Sequence, residues 1–495
     1  MTETWANASG EAGAVSGEAG AGDVRMATVG GLDLHLDLSG HRVRLGLETA
    51  LRDAIRIGRL GVGTRLPSSR ALAADLGLAR NTVAEVYSQL VAEGWLTART
   101  GSGTTVAERR AAADPDLNDA AHPETAAPRY DLRAGVPDLS AFPRRAWLAT
   151  ARRVLATAPD RLLDYPDPRG LPQLRKVLAG YLARARGVVT DPGHIVICAG
   201  FAHGLAVTCR ALHARGAGTL AVESYGHQAH RDIALAQGLR LRPLPVDGSG
   251  ADLGEAGGAD AVLLTPAHQF PLGVTLHPRR RREAARWGGV VIEDDYDGEF
   301  RYDRQPVGAL QALAPDRVVY AGTASKSLAP SLRLGWLVVP PRLLDAVAAQ
   351  LAAGPSALDQ LTLAEFIASG GYDRQVRRAR LAYRRRRDRL VAALGRQHRH
   401  VTGIAAGLHA VLELPGTGTE RLVITRAAGH GLALTGLESY RADGAGPVIA
   451  GDRAGLVIGY ARPPEHAYTT ALARLCAVVS SPASITDGNH YQPLA

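Results

Sequence analysis

Cysteine is scarce in this sequence, and neither a long apolar run nor a secretion signal is present. Its 495 residues include three cysteines, Cys198, Cys209 and Cys476, none of them in a Cys-x-x-Cys pair. The odd number and the spacing argue against a disulfide framework and against a zinc site. The N-terminus has neither the basic start nor the apolar core of a signal peptide. The sequence contains no run of about 18 apolar residues, which is the length that a membrane-spanning helix needs. We therefore expect a cytoplasmic protein with no metal ion and no membrane partner.

Lysine is scarcer still. The 57 basic residues include only two lysines, Lys176 in a helical pattern and Lys326 in GTASKSLAPSLRLGW. Arginine stays charged, whereas the lysine amine can lose a proton and form a Schiff base. Lys326 is therefore a candidate for imine chemistry, although chance codon usage would also leave an isolated lysine.

The net charge of +9 permits a nucleic-acid partner but does not establish one, since a composition rich in Arg, Ala and Gly produces the same excess. Composition and hydrophobic pattern vary along the chain. They predict a disordered tail at 1–28, a basic domain at 33–106, a linker at 107–128, a large domain at 129–480 and a second tail at 481–495.

The large domain alternates apolar runs with amphipathic helical patterns. The strand candidates are continuous apolar runs such as HIVICAG, AVLLTPA, GVVIEDD and RVVYAGT. Strands that are buried on both faces of a parallel sheet have this composition. The pattern therefore predicts an α/β domain built on a parallel sheet.

The basic domain carries the pattern of a winged helix-turn-helix, an α+β fold. An amphipathic helix is predicted at 43–57. A second helix, capped by Ser68 or Ser69, ends in a short turn at Gly77. A third helix follows at 80–93, and WLTARTGSGTTV then predicts a β-hairpin with a glycine-rich tip.

Side chains suited to DNA surround the third predicted helix. Arg80, Asn81 and Thr82 combine a bidentate base reader, an amide and a hydroxyl at its start. Gly101 lets the wing approach a groove closely. The side chains expected to hold phosphates are Arg65, Ser68, Arg70 and Arg99. A small helical protein-interaction domain is the alternative interpretation.

Three stretches of this domain, LPSSRALAADLG, ARNTVAEVYSQLVAEGWL and TGSGTTV, resemble the winged-helix domain of GntR-type regulators. The resemblance implies binding to double-stranded DNA.

In the large domain, a carboxylate and Lys326 follow two successive predicted strands. GVVIEDDYDGEF places Asp294 at a strand end with Tyr296 two residues later, and Lys326 follows RVVYAGT. Pyridoxal 5′-phosphate (PLP) needs a carboxylate at its ring nitrogen and a lysine at its aldehyde. Both would flank a ring at the carboxyl edge of the sheet, where Tyr296 suits the ring 3-hydroxyl. Arg333 is placed to grip a phosphate, and Ser325 can donate a hydroxyl. Metal ligation or a solvated turn is the alternative interpretation of EDDYD.

These motifs, together with YPDPRGLPQLRKVLAGYL, CAGFAHGL and TPAHQFPLG, resemble those of fold type I aminotransferases. The resemblance implies that His227 stacks on the cofactor ring and that His268 and Gln269 occupy the region where an Asn usually holds the ring hydroxyl. It also implies that Tyr165 of the partner subunit reaches the phosphate, which a helix start holds through Phe201, Ala202 and His203.

Departures from the aminotransferase pattern favour cofactor binding over efficient transamination. His227 replaces the usual aromatic stacking residue, His203 replaces a common Gln, and the usual Asn is not evident. For an arginine that binds an effector carboxylate, the C-terminal segment offers Arg453 and Arg462, between which the sequence does not decide.

The combination of a GntR-like winged helix, a linker and an aminotransferase-like domain resembles the MocR regulators. The resemblance implies a head-to-tail homodimer that holds PLP on Lys326 and senses PLP, an amino acid or another amine. We therefore expect a transcriptional regulator rather than an enzyme. One alternative is a PLP-dependent aminotransferase with an accessory DNA-binding head. Another is a winged-helix regulator whose large domain has lost the cofactor and only dimerises.

Overall fold

The computed structural model describes residues 24–29, 32–37, 43–99, 103–108, 128–162, 164–303, 307–352, 354–444 and 454–480. Contacts divide the chain into an N-terminal unit, Met1–Thr125, and a C-terminal unit, Ala126–Ala495. The division falls within the linker predicted at 107–128, most of which lies outside the described residues, as does the tail predicted at 481–495. No helix in the described ranges is long and apolar enough to cross a membrane.

The N-terminal unit begins with a strand pair that the sequence analysis missed. Strand β1, Val24–Val29, pairs antiparallel with β2, Leu32–Asp37. The tail predicted at 1–28 therefore extends too far, and regular structure begins before residue 33. The period-two alternation of LDLHLD is typical of a strand, but the Gly- and Ala-rich composition before it concealed the pair.

The rest of this unit is the expected winged helix-turn-helix. Helix α1 is Val43–Arg56, α2 is Ser69–Leu76 and α3 is Arg80–Ala92, followed by the hairpin of β3, Leu96–Arg99, and β4, Gly103–Val106. Gly77 ends α2 with a φ of 63°, a left-handed conformation that suits glycine. The helices pack through fully buried residues, among them Leu47, Leu51, Leu72, Val83 and Leu90.

The strands of the C-terminal unit come next in chain order. They are β5 (Tyr130–Asp131), β6 (Ile195–Cys198), β7 (Thr219–Glu223), β8 (Arg240–Leu244), β9 (Val246–Asp247), β10 (Gly250–Ala251), β11 (Ala261–Leu264), β12 (Val290–Asp294), β13 (Val318–Thr323), β14 (Gly335–Val338), β15 (Val401–Thr402), β16 (Ala410–Leu414), β17 (Leu432–Ala433), β18 (Thr435–Gly436) and β19 (Ala454–Ile458).

Helices connect these strands. They are α4 (Arg144–Thr157), α5 (Pro172–Arg186), α6 (Phe201–Ala214), α7 (Gln228–Ala236), α8 (Pro278–Arg286), α9 (Pro341–Ala348), α10 (Ala357–Ala368), α11 (Gly371–Gly395), α12 (Thr417–Gly429) and α13 (Glu465–Ser480).

A seven-stranded sheet forms the centre of the C-terminal unit, in the order β6-β14-β13-β12-β11-β7-β8. Only β14 runs antiparallel to its neighbours. Strands β6, β11, β12 and β13 are buried along their whole length, which explains their continuous apolar sequences. The expected parallel-rich α/β architecture is confirmed.

A smaller antiparallel sheet, β15-β16-β19-β18, has its own core with α11, α12 and α13. The large sheet is the part that positions the candidate site, because its parallel strands end at one edge.

Candidate cofactor site and DNA-binding surface

A cavity opens at the carboxyl ends of β7, β11, β12 and β13. Asp294 is the last residue of β12, and Lys326 lies three residues beyond the end of β13. Both line the cavity, as do Phe201, Glu223, His227, His230, Thr265, Phe270, Tyr296, Thr323 and Ser325. The sheet therefore brings together the lysine and the carboxylate predicted from their positions after successive strands.

Lys326 is half-buried, and its Nζ donates a hydrogen bond to the Gly135 carbonyl oxygen at 2.7 Å. Burial lowers the pKa of Lys326, while the negative charges of Asp294 and Asp297 oppose this shift. A lowered pKa increases the fraction of unprotonated amine, which is the nucleophilic form.

Asp294 is 6% exposed, and its Oδ1 has no hydrogen-bond partner within the part of the chain that the structure describes. Burial raises the pKa of Asp294 well above its ordinary value, and the nearby charge of Lys326 opposes the rise. A buried carboxylate without a partner is costly. A protonated ring nitrogen in the cavity would satisfy this oxygen, so the carboxylate fits the requirement of PLP.

Tyr296 is half-buried next to Asp294. Its hydroxyl lies 3.1 Å from Nδ1 of His268, and the same nitrogen lies 2.8 Å from Oδ2 of Asp297. Burial raises the pKa of Tyr296 well above its ordinary value, and the charges of Asp297 and Asp294 raise it further. The phenol is therefore neutral and can donate a hydrogen bond into the cavity.

The predicted phosphate-binding turn lies at the start of α6. Gly200 has a φ of 81°, and a Cβ at this position would lie 3.4 Å from Nη1 of Arg333. The positive φ therefore favours glycine, and the guanidinium of Arg333 lies against the turn. Arg333 is exposed, and no carboxylate of the described residues lies within ion-pair distance of it. A helix start beside this exposed guanidinium suits an anionic phosphate.

Other residues predicted for the phosphate differ in placement. Phe201 and Ser325 line the cavity, and the Ser325 hydroxyl lies 2.8 Å from that of Thr323. Ala202 and His203 do not line it. Nδ1 of His203 accepts from the Ala199 amide at 3.1 Å, so this ring closes the turn.

His227 stacks on Phe270 within the cavity, with ring centroids 4.0 Å apart and planes 14° apart. Burial lowers the pKa of His227 to about 3 and that of His230 to about 4. Both imidazoles are therefore neutral at physiological pH, and their uncharged faces suit stacking against an aromatic ring.

Gln269 occupies a different position from the one predicted. Its Nε2 donates to the carbonyl oxygens of Tyr225 and Phe270 and to Glu223, and its Oε1 accepts from the Leu272 amide. The side chain is 1% exposed and holds the turn together without lining the cavity. Phe270 lines the cavity instead.

Three further residues, His230, Thr265 and Glu223, line the cavity although they were not predicted from the sequence. Glu223 ends an apolar strand in the same way as Asp294, so its position carried a usable signal. The other two depend on the path of the chain after a strand, which local pattern does not show.

Tyr165 is 98% exposed and lies outside the cavity of its own chain. Arg462 pairs with Asp131 at 2.7 Å and does not line the cavity either. Arg453 lies outside the described residues. No effector-carboxylate arginine is therefore assigned at the C-terminus.

In the N-terminal unit, the base-reading candidates lie at the start of α3, where Arg80 and Asn81 are exposed and Thr82 is half-buried. The arginines predicted to hold phosphates are exposed at positions 65, 70 and 99. A Cβ at Gly103 would lie 3.1 Å from Nε of Arg65, which places this guanidinium against the hairpin. Exposed arginines at these positions suit a phosphate backbone.

Two residues predicted to bind DNA, Ser68 and Gly101, differ from the others in what the structure shows of them. Ser68 is exposed, but its hydroxyl accepts from the Ala71 amide at 3.2 Å and caps α2. Gly101 lies outside the described residues.

Comparison with known families agrees with both units. Residues 44–106 match the family of bacterial regulatory proteins of the gntR type, and residues 130–441 match aminotransferase class I and II. The fold and the site thus define a class of protein, a winged-helix regulator joined to an aminotransferase-fold unit. The chain belongs to the GntR family of transcriptional regulators, in its MocR subfamily.

Individual relatives span most of the chain. The pyridoxine biosynthesis transcriptional regulator PdxR of Corynebacterium glutamicum is 33% identical over 90% of this chain and 99% of its own length. The probable rhizopine catabolism regulatory protein MocR of Rhizobium meliloti is 35% identical over 74% of this chain and 79% of its own length.

Solved structures establish the fold of the C-terminal unit. An archaeal alanine:glyoxylate aminotransferase superposes with a TM-score of 0.63 at 24% identity, covering 70% of this chain and 90% of its own. The kynurenine aminotransferase of Pyrococcus horikoshii superposes with a TM-score of 0.63 at 22% identity, covering 72% of this chain and 91% of its own.

Proposed function

We propose that this protein is a cytoplasmic transcriptional regulator that binds PLP covalently at Lys326 and responds to PLP itself, an amino acid or another amine. The single observation that carries the proposal is the buried Oδ1 of Asp294, which has no partner among the described residues and lies in the cavity that Lys326 also lines. A ligand that completes its hydrogen bonding would account for a buried acid of this kind.

The remaining residues divide the recognition of the cofactor between them. When bound, PLP supplies an aldehyde that bonds reversibly to the amine of Lys326 or of an effector. Asp294 keeps the ring nitrogen protonated, and Tyr296 donates to the ring oxygen. His227 would supply the stacking surface, and Arg333 and the start of α6 would hold the phosphate.

The N-terminal unit supplies DNA recognition in this proposal. Arg80, Asn81 and Thr82 read base edges, while Arg65, Arg70 and Arg99 bind phosphates. We further propose a head-to-tail homodimer, in which Tyr165 of the partner subunit reaches the cofactor phosphate. An effector that favours one dimer conformation by about 1–3 kcal/mol is sufficient to change operator binding.

The experiment that tests the cofactor proposal is a spectroscopic titration of the full chain with PLP. We expect a visible absorbance band that borohydride reduction converts into a stable adduct on the Lys326 peptide, as read by mass spectrometry. Lys326→Arg keeps the positive charge but abolishes the band, because a guanidinium cannot form the bond.

The other lysine of the sequence is the matched control, since Lys176→Arg leaves the band intact. Absence of a band in the unaltered protein, or an adduct that persists in Lys326→Arg, refutes the cofactor assignment.

A PLP-dependent aminotransferase with an accessory DNA-binding head is the second candidate. It is favoured by the cavity, which combines the lysine, carboxylate and tyrosine that such an enzyme uses. Steady turnover of an amino acid with a keto acid supports this candidate. A single stoichiometric amine reaction, together with effector-dependent DNA binding, supports the regulator.

A further inference from the structure

One nitrogen atom in the wall of the cavity contacts two oxygen atoms. Nδ1 of His268 lies 2.8 Å from Oδ2 of Asp297 and 3.1 Å from the hydroxyl of Tyr296. His268 and Asp297 are each 2% exposed, so water does not compete for these contacts. Neither residue lines the cavity, whereas Tyr296 does. The contacts therefore connect a buried pair to the cavity through one phenol.

The backbone is built closely around this pair. A Cβ at Gly407, whose φ is 75°, would lie 2.5 Å from Nδ1 of His268 and 2.6 Å from Oδ2 of Asp297. Any side chain at this position would push the imidazole and the carboxylate apart. The position of His268 relative to Tyr296 is therefore fixed by the hydrogen bond with Asp297 and by the backbone at Gly407.

The chemistry of the pair limits the directions in which the Tyr296 proton can point. An ionised carboxylate only accepts hydrogen bonds, so the Asp297 contact requires the proton of His268 to lie on Nδ1. A protonated Nδ1 cannot accept from the Tyr296 hydroxyl and instead donates toward its oxygen. The hydroxyl proton of Tyr296 then points either to the Asp297 carboxylate, whose hydrogen bond also raises the pKa of Tyr296, or to a partner in the cavity.

We propose that His268 and Asp297 are positioning residues, which keep the Tyr296 hydroxyl directed as a donor toward the ring oxygen of the bound cofactor. This inference rests on the proposed binding of PLP. It assigns to a buried pair outside the cavity the control of the hydrogen bond that Tyr296 donates to the cofactor.

The consequence is a change in how tightly the Lys326 nitrogen, once bonded to the cofactor, holds its proton. A hydrogen bond donated to the ring oxygen stabilises negative charge there and lowers the pKa of that nitrogen. Charge acts in the opposite sense, because the carboxylate of Asp297 favours protonation of Lys326. The other titratable groups around Tyr296 and His268 are Asp294, Glu223 and His409.

A double-mutant cycle separates the two effects. The visible band of the PLP-loaded full chain is titrated with pH in the unaltered protein, Asp297→Asn, Tyr296→Phe and the double variant. Removing the charge of Asp297 lowers the midpoint in either background. An amide at position 297 no longer forces the proton of His268 onto Nδ1, so the Tyr296 hydroxyl can donate to His268 instead of to the cofactor. This lost donation raises the midpoint, and it does so only where Tyr296 is present.

We expect the shift caused by Asp297→Asn to be roughly one pH unit more positive with Tyr296 present than in Tyr296→Phe. Equal shifts in the two backgrounds overturn the inference. His268→Asn, which retains an N–H near the position of Nδ1, keeps the midpoint close to that of the unaltered protein, whereas His268→Gln raises it. If Asp297→Asn does not fold, His268→Gln with and without Tyr296→Phe completes the same cycle.

The outcomes also separate this inference from the cofactor proposal. If the unaltered protein shows no visible band with PLP, the cofactor proposal fails. If the band is present and the cycle gives equal shifts, only the role of His268 and Asp297 fails.

Discussion

Arg186 and Asp295 form a buried bidentate ion pair, with Nε and Nη2 of the arginine 2.6 and 2.9 Å from the two carboxylate oxygens. The hydroxyl of Tyr320 also donates to Asp295, at 2.8 Å. Asp295 follows Asp294 directly, and successive side chains at a strand end point to opposite sides. The Arg186–Asp295 ion pair on one face of the sheet therefore fixes the end of β12. Asp294 faces the cavity from the opposite face of the same strand end.

Removal of the Arg186 guanidinium is predicted to destabilise the C-terminal unit severely. Both side chains are at most 4% exposed, so Arg186→Met leaves Asp295 buried without its counter-ion. We expect a loss of roughly 3–5 kcal/mol in the free energy of unfolding, measured by denaturant titration. The control is Arg184→Met, which breaks an exposed pair with Asp373 and costs about 0–1 kcal/mol. Equal losses in the two variants would contradict the role of the buried pair.

Glu223 is predicted to make the cofactor-free protein less stable as pH rises. Burial raises the pKa of Glu223 to about 7, although hydrogen bonds from Thr265 and Gln269 oppose the shift. In the unfolded chain a glutamate titrates near 4.3. Because the folded state holds the proton more tightly, this group stabilises the fold at low pH, and the contribution is lost as pH rises through about 7.

Glu223→Gln removes this titration. We expect its free energy of unfolding, relative to that of the unaltered protein, to increase by up to roughly 3 kcal/mol between about pH 4.5 and pH 7.5. Denaturant titrations at a series of pH values measure the difference. The exposed Glu255→Gln, titrated in the same way, serves as the control. Parallel curves for Glu223→Gln and the unaltered protein would show that Glu223 does not titrate in this range.

The sequence was sufficient to place Lys326, Asp294 and Tyr296 in one cavity, because their position depends on strand ends alone. Buried parallel strands are recognisable from continuous apolar runs, and their carboxyl ends must meet at one edge. The winged helix was predictable for a similar reason, since its caps, turns and apolar spacing are all local signals.

Side chains on connecting turns were not predictable in the same way. Gln269 and Phe270 are neighbours, and only the three-dimensional path of the turn decides that the amide bonds backbone oxygens while the ring enters the cavity. His203 and Ser68 were assigned to ligands but bond nearby backbone amides. Short polar groups at helix starts satisfy local donors first, which a motif does not reveal.

The start of α3 is predicted to read the operator sequence. On a DNA site selected from a random library by the unaltered protein, Arg80→Ala should cost about 1–3 kcal/mol and relax preference at one base position. Arg99→Ala should weaken binding to all sequences similarly and lower the salt slope by about one. Fluorescence anisotropy at several salt concentrations measures both. Arg240→Ala, an exposed arginine of the C-terminal unit, is the control. Unchanged selectivity in Arg80→Ala would refute the assignment of this residue.

Tyr165 is predicted to act in the cofactor site of a second copy of the chain. Large aromatic side chains are seldom left as exposed as this one, at 98%. In the proposed dimer, Tyr165→Ala removes a hydrogen bond to the phosphate and weakens PLP binding roughly tenfold or more, because bonds to charged groups are worth about 1.5–3 kcal/mol.

Mixed dimers distinguish a residue that acts in its own chain from one that acts across an interface. The informative mixed dimer combines one Lys326→Ala chain with one Tyr165→Ala chain, so that only one of its two sites retains Lys326. If Tyr165 acts across the interface, this site has an intact Lys326 and receives Tyr165 from its partner, so it binds PLP as tightly as the unaltered protein. If Tyr165 acts within its own chain, the only site that retains Lys326 lacks Tyr165, and no tight site forms. Differently tagged chains, purified as mixed dimers and titrated with PLP by absorbance, give half a tight site per chain in the first case and none in the second.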